Sequence, residues 1–429
     1  MKFVSVLVIL FVYANADMAR FDNYRVYTVT IENEEQYKAM KYLEENSDAY
    51  DFWKSPKING KADIVVPPHK FADFEVVASN LNMQAEIIIE NLQRLIDEER
   101  PRNKQPKAAD ADALDLGWDD YHTLEEIYDW LDEMKEAYPQ YINVTTIGYS
   151  SENRPIRLLS LSKKPGNRAI LIEGTIHARE WISPATATYI LYQLLTSEDP
   201  EIVDIATNID WHFIPVINPD GYTYTWTTNR NWRKTRAPVS MLCFGVDGNR
   251  NFEYNWLRAD ETGDLGGSKV PCTDTYAGAY PYSEPETRAT EGFLNTHAST
   301  IDAFLALHSY GHLFLHPWGH TIVPPTTVDE LGGVGRAAAA AILAVNGIQY
   351  TVGSSNGVLY ASTGTSRDHT YGHHHIPISF TVEMRGNGPY GNYGFFLPAE
   401  YILPNAQEVI KGFIALIHRA REFGRFPIN

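Results

Sequence analysis

Residues 168–181 read RAILIEGTIHAREW. The first six, Arg168 to Glu173, form an apolar run suited to a buried strand. Gly174 permits a sharp turn after it, and from about Ser183 to Leu195 the pattern is helical. Strand, tight turn and helix in succession are the unit of an α/β fold. The turn places His177 and Glu180, three residues apart, at the carboxyl end of the strand, where such sheets carry their sites. An isolated His-x-x-Glu is common, and this context is what makes the pair a metal-site candidate.

The alternation continues on both sides. Trp211 to Ile217, Ala303 to Leu307 and Ile378 to Glu383 read as strands, and Arg336 to Val345 and Ala406 to Glu422 as helices. Thr123-Leu124-Glu125-Glu126 is a capping box opening a helix with Leu124, Ile127, Tyr128, Leu131 and Met134 on one face. Together these predict an α/β domain at 108–429 with a mixed, largely parallel sheet flanked by helices. Residues 17–107 predict a small α+β unit. Tyr24 to Ile31 alternates like a strand, Glu34 to Glu45 is helix-like and Ala62 to Val66 is β-prone. Ile88, Leu92, Leu95 and Ile96 predict a helix from about Met83 to Arg100. Residues 100–107, RPRNKQPK, read as an exposed linker open to proteolysis, and an ordinary interdomain connection fits them equally well.

Among 429 residues, 54 acidic and 36 basic side chains leave a net charge of -18. That charge disfavours nucleic acid and anionic membranes, which attract lysine and arginine, and by itself it points away from acidic substrates. Lys2, the apolar run Phe3 to Tyr13 and Ala14-Asn15-Ala16 predict a signal peptide at 1–16, with a core strand as the alternative. The run is shorter than the roughly 20 residues a bilayer span needs. Secretion would let the only two cysteines, Cys243 and Cys272, pair as a disulfide, and would make Asn143-Val144-Thr145 a glycosylation sequon.

A third metal ligand is expected from the same sheet edge. His308 ends the apolar strand Phe304-Leu305-Ala306-Leu307. Two histidines and a glutamate leave a fourth position for water, the open geometry of catalytic zinc, which lowers that water's pKa towards ~7. Glu383 ends another strand and could serve as base, or it pairs with Arg385. Arg230, Arg233, Asn249 and Arg250 form an anion-binding candidate, or are simply solvated. His312, His316 and His320 read as solvated or hydrogen-bonded histidines. The cluster His373-His374-His375 reads the same way, with a metal site as its alternative.

The chain resembles secreted zymogens of the zinc metallocarboxypeptidase A/B family, insect digestive members most of all. The segments that carry the resemblance are EGTIHAREW (173–181), TNRNWRKTR (228–236), GVDGNRNF (245–252), ALHSYG (306–311), ISFTVEMR (378–385) and YGFFLPA (393–399). The resemblance implies one Zn²⁺ per catalytic domain, held by His177, Glu180 and His308, with Asp247 orienting a ligating histidine. It implies Glu383 as general base and acid, and Arg233 as the group that polarises the scissile carbonyl. Asn249 and Arg250 would hold the substrate's terminal carboxylate and Tyr360 would close over it. Arg179, Arg230, Tyr310 and Phe395 would complete the substrate-binding set, and Cys243–Cys272 matches the family's disulfide. Residues 17–107 would be an inhibitory propeptide of open-sandwich type. A trypsin-like protease would cut it between Arg102 and Lys107, with Lys107-Ala108 the most open bond. Implied partners are peptide C-termini and protein inhibitors, and the implied location is extracellular, in a digestive lumen.

One departure bears on specificity. In YASTGTSRDHTY (360–371), Arg367 falls where A-type members resemble one another in an apolar residue and B-type members carry aspartate. An arginine there predicts preference for C-terminal glutamate, or aspartate, unless it folds onto Asp368 and leaves a generic pocket. One extra residue separates Tyr371 from Glu383, so the assignment holds when the register is anchored on Tyr360 to Tyr371. A non-catalytic peptide-binding relative would have lost a ligand or the base, and every expected position is filled. Zinc amidohydrolysis of small N-acyl amino acids could share the metal motif.

Overall fold

A computed structural model describes residues 18–47, 49–99, 114–388 and 391–428. The expected signal peptide, the linker and the expected activation bond Lys107-Ala108 lie outside the described residues.

The N-terminal unit runs β1 (Arg25–Ile31), α1 (Glu34–Asn46), β2 (Asp51–Lys54), β3 (Gly60–Val66), α2 (Phe71–Asn80), β4 (Ala85–Ile89) and α3 (Leu92–Glu99). Its antiparallel sheet has the order β2-β3-β1-β4, with α1 started by the Asn33 side chain accepting from Gln36 N–H. Tyr27, Val29 and Ile31 alternate into a core with Met40, Ile64 and Phe74. The helix expected from Met83 to Arg100 is instead β4 followed by α3. Three consecutive isoleucines favour the pleated sheet, where Val26 pairs with Ile89, and the helix begins only after Asn91, whose side chain accepts from Asn23 N–H. The four-residue β2 is too short to show periodicity, and it is this strand that reaches the functional site.

The larger unit starts with α4 (Leu124–Ala137), where Thr123 and Glu126 form the expected capping box. There follow β5 (Ile142–Tyr149), β6 (Pro155–Leu161), β7 (Ala169–Gly174), α5 (Ile182–Thr196), α6 (Pro200–Asn208), β8 (Asp210–Ile214) and α7 (Pro219–Thr227). Next come α8 (Pro285–His297), β9 (Ile301–Ser309), β10 (Leu313–His316), α9 (Val328–Asn346), β11 (Thr351–Ser354) and the single turn α10 (Ser355–Val358). The last are α11 (Ser366–Gly372), β12 (Ile378–Met384) and α12 (Ile402–Glu422). The strand expected to reach Ile217 stops at Ile214, because Pro215 has no N–H to continue the ladder.

Eight strands form one mixed sheet in the order β11-β10-β12-β9-β7-β8-β6-β5. Its centre, β12-β9-β7-β8, is parallel, and antiparallel pairs flank it. Every residue of β9 is buried. Helices cover both faces, α5 and α12 with Ile190, Leu191, Phe413 and Ile417 on one, and α8 with Phe293 and Leu294 on the other. The parallel strands all point their carboxyl ends to one edge. No helix among the described residues is long and apolar enough to cross a membrane.

Candidate active site and metal centre

The geometry begins where β7 ends. A Cβ on Gly174 would lie 2.6 Å from the Pro215 carbonyl, so glycine is needed for close approach. The residue that turns the chain is Thr175, not Gly174 as expected: its φ is +60°, in the left-handed region. Its hydroxyl donates to Pro215 O at 2.9 Å, and its N–H donates to Ser183 Oγ at 3.0 Å. Ser183 in turn donates to Leu307 O at 2.7 Å, which ties this turn to β9 one residue before His308.

His177 and Glu180 follow in the turn ahead of α5, and His308 stands at the end of β9; all three are buried. His177 Nδ1 is 2.7 Å from Glu180 Oε1, His308 Nδ1 is 3.0 Å from Glu180 Oε2, and the two Nδ1 atoms are 3.1 Å apart. His177 Nε2 lies 3.1 Å from Asp247 Oδ1, a placement that keeps its proton on Nε2 and a lone pair on Nδ1. Two imidazole nitrogens and a carboxylate thus crowd one buried point, a donor set that fits a dication. Against the cost of burial, the two imidazoles hold the Glu180 carboxyl well below the usual carboxylate range.

Around this point stand the other predicted residues. Arg233 donates to Asp247 Oδ2 at 2.8 Å, so Asp247 braces both the histidine and the guanidinium. Glu383 sits on β12 directly opposite His308 in the parallel register. Arg385, its alternative partner, turns instead to Glu408 on α12, with Nε donating at 2.8 Å, and Glu383 makes no ion pair among the described residues. Enclosure pushes the Glu383 carboxyl up to about 7, with His308 opposing the rise and Glu180 adding to it. Asn249 accepts Ser366 N–H at 3.0 Å, and Arg250 donates to Asn249 O at 2.8 Å while its buried Nε has no hydrogen-bond partner among the described residues. Cys243 and Cys272 are disulfide-bonded.

Arg367, the second residue of α11, is almost fully buried. Its Nε and Nη2 lie 2.9 and 2.8 Å from Asp368 Oδ1, and Nη1 is 3.3 Å from Thr381 Oγ1. Thr381 precedes Glu383 by two on β12, so both side chains leave the same face of the sheet. Asp368 is also held by Gly319 N–H at 2.8 Å and by His320 Nδ1 at 3.0 Å.

A cavity of about 140 Å³ opens onto His177, Glu180, Arg233, Tyr310, Tyr360, Glu383 and Phe395. Asn249, Arg250 and Arg367 are buried beside these residues and do not line it. Its lid comes from the N-terminal unit: Trp53, Lys54 and Asp63 also line it. The Trp53 ring meets Phe395 edge-on at 5.1 Å, and Tyr310 donates to Asp63 Oδ2 at 2.8 Å. Arg179 lies 3.3 Å from Asp51 and 3.2 Å from Asp274. Arg230 is gripped by both oxygens of Glu99, at 2.6 and 2.7 Å, over the Trp181 ring. Arg179, Arg230, Tyr310 and Phe395, expected to meet substrate, therefore meet the N-terminal unit here. Asp51, Trp53, Asp63, Glu99 and Asp274 had no sequence signal, since none belongs to a motif.

The family model for zinc carboxypeptidases matches residues 127–412. The chain belongs to the zinc carboxypeptidase family. The model for the carboxypeptidase activation peptide matches residues 27–99, so this carboxypeptidase is a zymogen, and the lid is its propeptide. It is 39% identical over 414 residues to zinc carboxypeptidase A 1 of Anopheles gambiae, covering 96% of this chain and 93% of that protein. Its fold is similar to the carboxypeptidase A of Helicoverpa armigera at a TM-score of 0.84 and 28% identity, covering 94% and 98% of the two chains. Bovine thrombin-activatable fibrinolysis inhibitor, solved with a tick carboxypeptidase inhibitor, is similar at a TM-score of 0.63 and 35% identity, covering 71% and 99%. The family's metal is zinc, and the buried His177–Glu180–His308 set is a group that could hold it.

The Glu99–Arg230 pair makes a prediction about latency. Removing one partner of a buried ion pair costs about 3 kcal/mol or more, because the other is left uncompensated. Glu99→Gln is expected to weaken the closed state about a hundredfold. The check is peptidase activity of the uncleaved zymogen, which should rise in the variant while the activity after trypsin stays at the wild-type value.

Proposed function

We propose that the trypsin-activated enzyme removes C-terminal residues from peptides and prefers C-terminal glutamate. The observation that carries the preference is the guanidinium of Arg367, pinned by Asp368 and presenting Nη1 towards Thr381, on the Glu383 face of β12. An arginine so held loses little entropy on meeting a carboxylate. His177, Glu180 and His308 hold the zinc, which supplies Lewis acidity towards water and carbonyl oxygen. Glu383 takes the proton of the attacking water and delivers it to the leaving amine. Arg233 faces the carbonyl oxygen as charge develops on it. Asn249, Arg250 and Tyr360 receive the terminal carboxylate, and the unpartnered Arg250 Nε supports that role. Arg179, Arg230, Tyr310 and Phe395 meet the peptide once the propeptide leaves.

The proposed units are a signal peptide at 1–16, a propeptide at 17–107 and a catalytic domain at 108–429, secreted into a digestive lumen. Activation falls between Arg102 and Lys107, through a trypsin-like protease. Protein inhibitors are a further partner class, supported by the inhibitor-bound relative. A second reading, A-type preference for apolar ends, is favoured by the neutralising contact between Arg367 and Asp368.

The deciding experiment compares peptides ending in Glu, Leu and Lys with the activated enzyme. Fastest release of Glu is the expected result, and faster release of Leu or Lys would sink the acidic preference. Chelation is expected to abolish all three rates and added Zn²⁺ to restore them; activity that survives metal removal would exclude the zinc mechanism.

A further inference from the structure

A second cluster of metal-ligating side chains lies outside the catalytic centre. Glu291 projects from α8, His369 from α11, and His373 and His374 follow at the end of that helix. One ligand atom from each lies within 4.8 Å of the others. His369 Nε2 and His374 Nε2 converge on the same oxygen, Glu291 Oε2, at 2.8 and 2.9 Å. The His373 ring stacks on His369 with centroids 4.8 Å apart. None of the four lines the covered cavity.

We propose that these four residues form a second zinc site, structural rather than catalytic. Three imidazoles and one carboxylate fill a tetrahedral shell and leave no open position, the pattern of a closed site. Zinc–nitrogen bonds of about 2.0–2.1 Å put tetrahedral donors about 3.3 Å apart. The 2.8–2.9 Å spacings of His369 and His374 from Glu291 would need to open by about half an ångström, and the widest spacings in the cluster, up to 4.8 Å, to close by about 1.5 Å. His373 is exposed and gives an ion a way in. An ion there would clamp the end of α11, whose first turn carries Arg367 and Asp368, onto α8.

The test uses the full-length zymogen without a polyhistidine tag, equilibrated with low-micromolar Zn²⁺ and assayed for metal by mass spectrometry. Wild type is expected to hold two zinc ions per chain. The double variant His373→Asn/His374→Asn, altered at an exposed and a half-buried position, is expected to hold one, as is Glu291→Gln. In thermal denaturation, Zn²⁺ should raise the midpoint of wild type by more than that of either variant. One ion in wild type, or two in the folded variants, would overturn the proposal.

Discussion

Glu383→Gln is expected to lower kcat/KM for every C-terminal residue by about 10²–10⁴-fold, the range a positioned acid–base group contributes. Glutamine keeps the size of glutamate and one acceptor oxygen but cannot take a proton. The loss should be uniform across substrates and fall on kcat rather than KM, because the carboxylate acts on water and on the leaving amine, not on the side chain that sets specificity. Its position supports this. Glu383 stands opposite His308 in the β12–β9 register, and Arg385 is committed to Glu408, so among the described residues the carboxylate is tied up in no ion pair. Enclosure also raises its affinity for a proton. Zinc content provides the control: the proposed ligands are His177, Glu180 and His308, so the variant should retain its metal. A variant within tenfold of wild type, at full zinc occupancy, would place the base elsewhere.

The centre of the fold was legible because buried parallel strands carry long apolar runs, and the site was legible because its residues close those runs. Arg168 to Glu173, Ala303 to Leu307 and Ile378 to Glu383 each announce a strand, and the motif residues stand at their ends. What was not legible depends on pairings between distant segments. Ile87 to Ile89 fits a helical and an extended pattern alike, and its contact with β1 decides for the strand. Thr175 takes the left-handed conformation beside a glycine that could have taken it, because Ser183 and Pro215 hold both its polar groups. Asp51, Trp53 and Glu99 lie more than a hundred residues from the arginines and aromatics they meet. No local pattern encodes such contacts.

The second large effect concerns Arg367. Arg367→Glu is expected to lower kcat/KM for peptides ending in glutamate by about 10²–10³-fold and to raise it for lysine, inverting the order of the two. Losing one partner of a buried charge pair costs about 2–5 kcal/mol, and a like charge in its place adds repulsion. The contact with Asp368 sharpens the expectation. In the wild type Asp368 neutralises part of the guanidinium charge, so the proposed preference for glutamate rests on the directed Nη1 donor as much as on net charge. In the variant Asp368 keeps Gly319 N–H and His320, and it adds its own charge to that of the new glutamate. A lysine ammonium then meets two carboxylates. Arg367→Ile separates the two contributions: it removes the donor without adding charge, and should lose glutamate release while gaining leucine release. An unchanged Glu:Leu:Lys profile in both variants, with zinc bound and Glu383 intact, would mean that the side chain at 367 never meets the departing residue.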